Sequence, residues 1–363
     1  MARDIPSRRN STVIQSSSIP SERFQFISRI LHPYYLGFPF LFLIYYTKLD
    51  LYIMSNSMKD NKAIRMLQAA EDGGYGIVGV VSYNLETITA VVRAAERKRS
   101  PAQILLFPWS LHYSPLLIHL AAAACRTATV PIVLHMDHAQ SEEEILAAAD
   151  MGLFDSIMVD MSHYEKEENL DKTKRLTKIL REKGIAVEAE CGRINGGEDG
   201  VKDTGDLEGL LTTPEEAIKF VDTGVDFLAP AFGNVHGNYG GVENIKLDFE
   251  RYVHHVSLKC IFIGIILRLT HVYRLENIRK ATNGRVRLVL HGTNTFPDDT
   301  MRECIKGGMT RCNLNDLVLN TYNKYIAENT GKVPLTELME KGTGLIQELI
   351  EHQMDIMGST GRA

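Results

Sequence analysis

The feature that most constrains the fold of this chain is a regular alternation, from about residue 58 onward, of short apolar runs with amphipathic stretches. Eight apolar runs predict eight strands, and their near-continuous apolar character is typical of parallel strands buried on both faces. One leading helix at residues 60–70, followed by eight strand–helix repeats, predicts an α/β fold of the (β/α)8 TIM-barrel type. A doubly wound open sheet is the alternative, but no GxGxxG motif follows the first strand. The predicted strands are residues 77–83, 104–109, 132–138, 156–162, 186–191, 227–233, 287–291 and 310–315.

The amphipathic stretches between these runs predict the helices that surround the barrel. A final helix over residues 335–357 would pack outside the barrel or against a partner subunit. We therefore expect an N-terminal capping helix and C-terminal helices around the barrel. The clearest connecting helices are predicted at residues 86–97, 141–149, 167–183, 214–223 and 297–307.

Composition and charge narrow the class of protein. A hydrophobic content of 44% with 23% charged residues is ordinary for a soluble globular chain. The net charge of -5 and the lack of a long basic stripe argue against a nucleic-acid partner. The five cysteines have no paired spacing, which favours reduced thiols and a cytoplasmic location over a disulfide framework.

Residues 1–57 differ in character from the rest of the chain. The run at 7–21 is rich in serine and arginine and predicts disorder, and an apolar aromatic patch follows at 34–46. That patch is shorter than the stretch of about 20 apolar residues that a spanning helix needs. We interpret the segment as an upstream extension preceding a natural start at Met54 or Met58. A peripheral membrane anchor and an ordinary cap are the alternatives.

A second unusual stretch, residues 252–274, interrupts what otherwise has the pattern of one helix. Joining Arg251 directly to Leu275 restores apolar positions at helical spacing. We therefore expect one barrel domain over residues 58–363 with an insertion at 252–274, such as a retained intron. A genuine apolar hairpin on the surface is the alternative.

Three histidines close separate apolar runs: His138, His236 and His291. A fourth run ends in Glu190. Because active sites of such barrels lie at the carboxyl ends of the strands, all four residues should meet at one mouth. Three imidazoles that leave a coordination position open suit a catalytic zinc ion.

Asp137 stands directly beside His138 and raises a geometric problem. Neighbouring strand residues face opposite sides, so both can point inward only if the strand end curls. His135 would then support the site from below. Asp137 is a candidate proton donor and acceptor, and the alternative is a carboxylate that only orients His138.

Four motifs together resemble the class II, zinc-dependent fructose-bisphosphate aldolases within the ketose-bisphosphate aldolases. They are His-x-Asp-His at 135–138, Glu-x-Glu-x-Gly-x-x-x-Gly-x-Glu at 188–198, Gly-Asn-Val-His-Gly at 233–237 and Leu-His-Gly at 290–292. The resemblance covers about residues 60–325 apart from the suspected insertion. The combination of motifs is specific.

The resemblance implies a role for each of the residues singled out above. Asp137 would protonate the aldehyde oxygen in condensation and remove that proton in cleavage, and Glu198 would exchange the proton on the ketose-phosphate carbon. One catalytic Zn²⁺ is implied, with a monovalent cation allowed beside it. The implied zinc ligands are His138, His236 and His291, with Glu190 as an additional or alternate ligand.

The implied activity is reversible cleavage of a ketose phosphate, foremost fructose 1,6-bisphosphate, to dihydroxyacetone phosphate and glyceraldehyde 3-phosphate by a homodimer. A Lewis-acid metal supports this chemistry without a Schiff base. None of the eight predicted strands contains a lysine, which argues against the lysine-dependent mechanism.

The substrate shell departs from the family pattern. After the histidine of strand seven the family usually has Gly-Ala/Gly-Ser-Gly, whereas this chain has Gly-Thr-Asn-Thr at 292–295. On strand eight the family's Asn-x-Asp-Thr/Ser is Asn-Leu-Asn-Asp at 313–316, so Asn315 and Asp316 both depart from the pattern. Asp316 thereby places a negative charge where a phosphate should bind. The residues expected to bind substrate or phosphate are Asn84, Gly237, Gly240, Gly292, Thr293, Asn294, Asn313, Asn315 and Asp316.

These departures keep other functions open. The first is a family member that acts on another ketose, such as tagatose bisphosphate or a less phosphorylated sugar. The second is a zinc-binding barrel without catalytic activity. A membrane-anchored scaffold is a further alternative, and it depends only on residues 34–46.

Overall fold

A computed structural model describes residues 58–201, 206–249 and 274–363 of the chain. Eight parallel strands form a closed barrel in which each strand pairs with its neighbours in the sequence and β8 pairs with β1. The predicted (β/α)8 fold is confirmed. The strands are β1 (Ile77–Val81), β2 (Ala102–Leu106), β3 (Ile132–Ala139), β4 (Ser156–Val159), β5 (Ala186–Cys191), β6 (Phe227–Pro230), β7 (Arg287–Leu290) and β8 (Met309–Leu314).

Helices cover the outside of the barrel and pack on the outward faces of the strands. The final helix spans Leu335–Met357, as predicted. A short 3₁₀ turn, Val242–Asn244, follows β6. The helices are α1 (Lys62–Gly73), α2 (Leu85–Lys98), α3 (Trp109–Tyr113), α4 (Pro115–Thr127), α5 (Glu142–Met151), α6 (Lys166–Glu182), α7 (Pro214–Val221), α8 (Arg274–Thr282), α9 (Asp298–Lys306), α10 (Asp316–Asn329) and α11 (Leu335–Met357).

Several predicted boundaries differ from the observed ones. The second strand begins and ends earlier than residues 104–109, because Pro108 starts a turn that leads into α3. The helix that the stretch 252–274 was expected to interrupt would begin at residue 247, but residues 247–249 are irregular. The backbone N–H of Asp248 donates instead to the carbonyl of Phe232, which ties this stretch to the end of β6.

Helix α1 closes the amino-terminal mouth of the barrel. Its N-cap, Asn61, accepts hydrogen bonds from the backbone of Ala63 and Ile64 and donates to the carbonyls of Asp155 and Gly184, just before β4 and β5. The apolar face of α1 packs on inward-facing strand residues such as Phe227. The barrel interior is therefore apolar at this end.

The middle of the barrel interior is polar and centres on Arg311 of β8, which is fully buried. Gly79 of β1 makes room for it, since a Cβ there would lie 3.2 Å from Arg311 Cδ. A side chain of the size and charge of Arg311 can be buried only with matched partners. Its partners belong to the site at the carboxyl end of the barrel.

Strand β3 curls at its end, as the sequence requires. The register between β3 and β4 shifts between Met136 and Ala139, and His138 has a left-handed φ of 47°. This irregularity turns two successive side chains, Asp137 and His138, towards the barrel mouth. The buried side chain of His135 lies below them.

Two predicted features lie outside the described residues. They are the extension at 1–57 with its apolar patch, and all of the suspected insertion except Arg274. None of the helices within the described ranges is both long and apolar enough to cross a membrane. Arg274 itself starts α8, and its guanidinium donates to Asp248 Oδ2 at 2.6 Å and to the Thr212 carbonyl at 2.7 Å.

We predict that deletion of residues 252–274 preserves the fold. The deletion joins Arg251 to Leu275, so an arginine still precedes α8 and can take over the contacts of Arg274. The thermal midpoint should stay within about 4 °C of that of the full chain, the shift produced by roughly 1 kcal/mol. In the deletion variant, Arg251→Ala should lower the midpoint further. An unfolded deletion product would show that the segment belongs to the native structure.

Candidate metal centre

Four side chains from four different strand ends converge at the carboxyl-terminal mouth of the barrel. Each offers one ligand atom, and these atoms lie within 4.8 Å of one another. All four side chains are almost completely buried. The four residues are His138 in the curled end of β3, Glu190 of β5, His236 after β6 and His291 after β7.

Each histidine has one ring nitrogen engaged by a carboxylate. The Nδ1 atom of His138 lies 2.7 Å from Asp160 Oδ2, and the Nε2 atom of His291 lies 2.8 Å from Glu188 Oε1. The Nδ1 atom of His236 lies 3.2 Å from Glu198 Oε1. Carboxylates in this position fix the tautomer and the orientation of a metal-binding imidazole. The other ring nitrogen of each histidine therefore faces the centre.

The polar atoms that face the centre fit a divalent cation. His236 Nε2 and Glu190 Oε2 are buried without a hydrogen-bond partner and lie 4.0 Å apart. His138 Nε2 and His291 Nδ1 face each other at 2.9 Å. Buried polar groups without partners destabilise a fold, and a shared metal ion satisfies all four atoms. Three imidazoles and one carboxylate are ligands that zinc accepts.

The surrounding carboxylates raise the pKa of two of these histidines. Burial opposes the charged form of His138, but Asp137 and Asp160 raise its pKa to about 9. Burial likewise opposes the charged form of His236, and Glu190 and Glu198 raise its pKa to about 10. Metal binding must therefore displace protons from these rings at neutral pH.

Asp137 lies beside the metal ligands in a fixed orientation. Its Oδ2 accepts a hydrogen bond of 2.9 Å from Asn313 Nδ2, and its buried Oδ1 has no hydrogen-bond partner. Burial alone would raise the pKa of Asp137, but the neighbouring His138 and His291 outweigh it and hold the pKa well below its usual range. The carboxylate is therefore ionised and has one oxygen atom available to accept a proton.

Glu198 contacts the metal-facing His236 from the segment 196–201, which follows β5. Burial alone would raise its pKa, but its hydrogen bond with His236 and the charges of His236 and His138 lower it. Its second oxygen accepts a hydrogen bond from Asn315 Nδ2 at 2.7 Å. A small cleft lies beside it and is lined by His138, Glu190 and His236.

The residues predicted to bind substrate have different surroundings. Asn84 caps helix α2, where its Oδ1 accepts from the backbone of Thr87, so the side chain has a structural role. The N–H of Gly240 donates to Asn238 Oδ1 and is already satisfied. Asp316 is the first residue of α10 and is partly buried beside Glu198.

The remaining predicted substrate residues connect the loops after β6, β7 and β8. Asn294 Nδ2 donates to the carbonyl of Gly237, and Thr293 Oγ1 donates to the carbonyl of Asn313. Gly292 has a φ of 68°, and a Cβ there would lie 2.2 Å from the carbonyl oxygen of Val235. Only glycine allows these two loops to approach so closely.

Four residues that support the site are not predicted by the sequence motifs as functional. Asp160 and Glu188 are the carboxylate partners of metal-facing histidines, Arg311 pairs with Glu188, and Tyr83 contacts the Glu198 segment. Alternation along β5 could have indicated Glu188, because it lies two residues before Glu190 and faces the same side. No sequence signal identifies Arg311 or Tyr83.

Comparison with known proteins gives concordant matches over almost the whole described chain. The family model described as Fructose-bisphosphate aldolase class-II matches residues 61–362. A Coccidioides immitis (strain RS) protein named "Putative fructose-bisphosphate aldolase" is 48% identical over 315 residues, which cover 85% of this chain and 96% of that protein. The fructose-bisphosphate aldolase of Streptococcus pyogenes serotype M1 is 32% identical over 322 residues, covering 83% and 98%.

A solved structure supports the same relationship. The crystal structure of the YdjI aldolase from Escherichia coli K12 matches with a TM-score of 0.68 and 27% sequence identity. The match covers 83% of this chain and 98% of that chain. The similarity therefore extends over nearly the whole of that chain.

We predict that Glu188→Gln weakens metal binding by about 10- to 100-fold, the usual effect of losing an outer partner of a metal-binding histidine. The amide keeps the shape of the side chain but removes the negative charge that holds His291 in orientation. Metal affinity is measured by competition with a chromophoric chelator. Glu182→Gln, an exposed residue of α6, is the matched control and should leave the affinity unchanged. An unchanged affinity in Glu188→Gln would show that His291 is oriented by other contacts.

Proposed function

Because the chain belongs to the class II fructose-bisphosphate aldolase family, we propose that it catalyses the zinc-dependent, reversible cleavage of fructose 1,6-bisphosphate. The products are dihydroxyacetone phosphate and glyceraldehyde 3-phosphate. The observation that carries the proposal is the convergence of three histidines and Glu190 beside the ionised carboxylate of Asp137.

The residues that would hold the zinc ion are His138, Glu190, His236 and His291. When bound, the ion supplies Lewis-acid stabilisation of the negative charge that develops on the ketose oxygens. With the metal bound, the reaction does not need a lysine as an electron sink. Arg311, an inward-facing cation of the barrel, forms an ion pair with Glu188. We propose that a monovalent cation also binds, near the substrate phosphate.

Asp137 acts as the base in cleavage. Its Oδ1 accepts the proton of the hydroxyl group next to the bond that breaks, and the same proton returns to the aldehyde oxygen in condensation. The hydrogen bond from Asn313 to Oδ2 keeps the carboxylate in position for both steps. The low pKa of the group keeps it ionised before cleavage begins.

Glu198 transfers the second proton. After the carbon–carbon bond breaks, the carbon of the ketose-phosphate half must be protonated, and Glu198 exchanges a proton with that carbon. In cleavage the ionised carboxylate takes up a proton from solvent and delivers it to that carbon, and in condensation it removes the proton and returns it; 9% of its side chain is exposed. Asp137 and Glu198 thus each carry out one of the two proton transfers.

We propose that the protein is a cytoplasmic homodimer that acts on a small sugar phosphate. The described cysteines are free thiols, in agreement with a reducing compartment. Sedimentation analysis of the purified chain would determine the oligomeric state.

The proposal is tested by a coupled assay of triose-phosphate release from fructose 1,6-bisphosphate, tagatose 1,6-bisphosphate and fructose 1-phosphate. Chelation should abolish activity and Zn²⁺ should restore it. Asp137→Asn should lower kcat by about 10²- to 10⁴-fold, the usual contribution of general acid–base catalysis, with the metal content unchanged. Asp150→Asn, a 70% exposed residue of α5, is the control.

Other outcomes of this assay would contradict the proposal in distinct ways. Loss of metal in Asp137→Asn would make Asp137 an orienting group for the metal site. Tight zinc binding without turnover of any ketose phosphate would indicate a barrel without catalytic activity.

A second candidate function is cleavage of a ketose that carries one phosphate. It is favoured by the surroundings of Asp316, where burial and the negative charges of Glu198 and Asp199 raise the pKa of the carboxyl group. Three carboxylates at this rim disfavour the approach of a second phosphate dianion. Asp316 occupies the position where the family has a hydroxyl residue.

We predict that Asp316→Thr raises kcat/KM for fructose 1,6-bisphosphate relative to fructose 1-phosphate by at least about fivefold, since a charge pair at about 4 Å is worth ~1 kcal/mol even in water. The same substitution at Asp299, a 92% exposed position on α9, is the control. A ratio that does not change would show that Asp316 lies away from the second phosphate.

A further inference from the structure

The phenol group of Tyr83, in the loop after β1, contacts the segment 196–201 from across the barrel mouth. Its Oη lies 2.8 Å from the backbone carbonyl oxygen of Asp199 and 3.0 Å from Asn315 Oδ1. The single hydroxyl hydrogen is shared between the two acceptors in a three-centre hydrogen bond. The contact therefore joins the loop after β1, the loop after β5 and the end of β8.

Asn315 continues this connection to the metal site. While its Oδ1 faces Tyr83, its Nδ2 donates to Glu198 Oε2 at 2.7 Å, and Glu198 Oε1 lies 3.2 Å from His236 Nδ1. A chain of hydrogen bonds thus runs from Tyr83 through Asn315 and Glu198 to a metal-facing histidine. Networks of this kind order every side chain that they include.

Apolar packing supports the same arrangement. The ring of Tyr83 lies 6.1 Å from the rings of both Phe107 and Trp109. Val201, three residues after Glu198, packs on the same small cluster of buried side chains. Gly200, which precedes Val201, faces the same rings, since a Cβ there would lie 3.5 Å from Phe107 Cδ2 and from Trp109 Cβ. The segment is therefore held by hydrogen bonds at one end and by an apolar contact at the other.

The protonation state of Tyr83 suits this role. Burial, together with the negative charges of Glu198, Asp199 and Asp316, raises the pKa of Tyr83 far above its ordinary value. The hydroxyl group is therefore protonated at neutral pH and acts as a donor. Both partners of the hydroxyl group are oxygen acceptors, so the geometry needs this donor.

We propose that Tyr83 and Asn315 are positioning residues that hold the Glu198 carboxylate against His236, and that they thereby set the rate of proton exchange at the ketose-phosphate carbon. The inference rests on the proposed function of Glu198. Neither residue has to contact the reacting atoms, because both act through the placement of the segment. The two residues lie 232 positions apart in the chain.

Tyr83→Phe tests the proposal, because it removes the donor and keeps the ring in its apolar contact. With the zinc-loaded full chain, amide hydrogen exchange at residues 198–201 should accelerate by at least about fivefold, the factor that one net hydrogen bond supplies. Exchange of deuterium from solvent into dihydroxyacetone phosphate at saturation should slow by a similar factor. The KM for dihydroxyacetone phosphate and the affinity for zinc should stay unchanged.

Two further variants complete the design. Asn315→Ala should reproduce both effects, and it keeps the proposal testable if Tyr83→Phe disturbs the fold. Tyr113→Phe is the matched control, since Tyr113 stacks on Trp109 at 4.5 Å but is 69% exposed. It should leave both kinds of exchange at the rate of the unmodified protein.

The outcomes separate this inference from the proposed function. Unchanged amide exchange at 198–201 in both Tyr83→Phe and Asn315→Ala would overturn it, even if proton exchange into dihydroxyacetone phosphate slowed. A different result would contradict the proposed function alone. If amide exchange at 198–201 becomes faster in the variants but the protein never exchanges the proton of dihydroxyacetone phosphate, the contact is confirmed and the role assigned to Glu198 is wrong.

Discussion

The site depends on one buried ion pair, between Arg311 of β8 and Glu188 of β5. The two terminal guanidinium nitrogens lie 2.7 and 2.9 Å from the two carboxylate oxygens, and both side chains are completely buried. Although burial alone would raise the pKa of Glu188, Arg311 lowers it to about 2. Removing one partner of such a pair destabilises a protein by roughly 3–5 kcal/mol, because the other charge remains buried. The pair also has directional consequences: Glu188 orients His291, and Arg311 Nε donates to Asn313, which in turn holds Asp137.

Much of this arrangement could be predicted from the sequence, for a simple physical reason. Parallel strands that are buried on both faces leave near-continuous apolar runs, and their carboxyl ends must meet at one mouth. The sequence alone therefore assigns four residues to one centre: His138, Glu190, His236 and His291. The curl at the end of β3 could also be predicted, because Asp137 and His138 cannot otherwise face the same side.

The remainder could not be predicted, because it depends on which side chains meet across the barrel. Asn84 has a residue type that suits phosphate binding, yet the adjacent helix start uses its side chain as a cap. Arg311 and Tyr83 lie in segments without a recognisable motif, and their roles arise from partners more than a hundred residues away. The departures at Asn315 and Asp316 are visible in the sequence, but only the structure connects Asn315 with Tyr83 and Asp316 with Glu198.

The left-handed backbone at His138 has a consequence for how this enzyme can diverge. A φ of 47° is accessible to histidine, asparagine, aspartate and glycine but is strained for most other side chains, above all β-branched ones, so the backbone restricts which residues can replace this ligand. The loops after β7 and β8 carry no comparable restriction at Asn294 or Asp316, which lie outside the hydrogen-bond chain from Tyr83 to His236. Mutational drift is thereby directed away from the metal and towards the rim, where new sugars can be selected on an unchanged catalytic centre. Libraries for altered substrate range are best built at those rim positions.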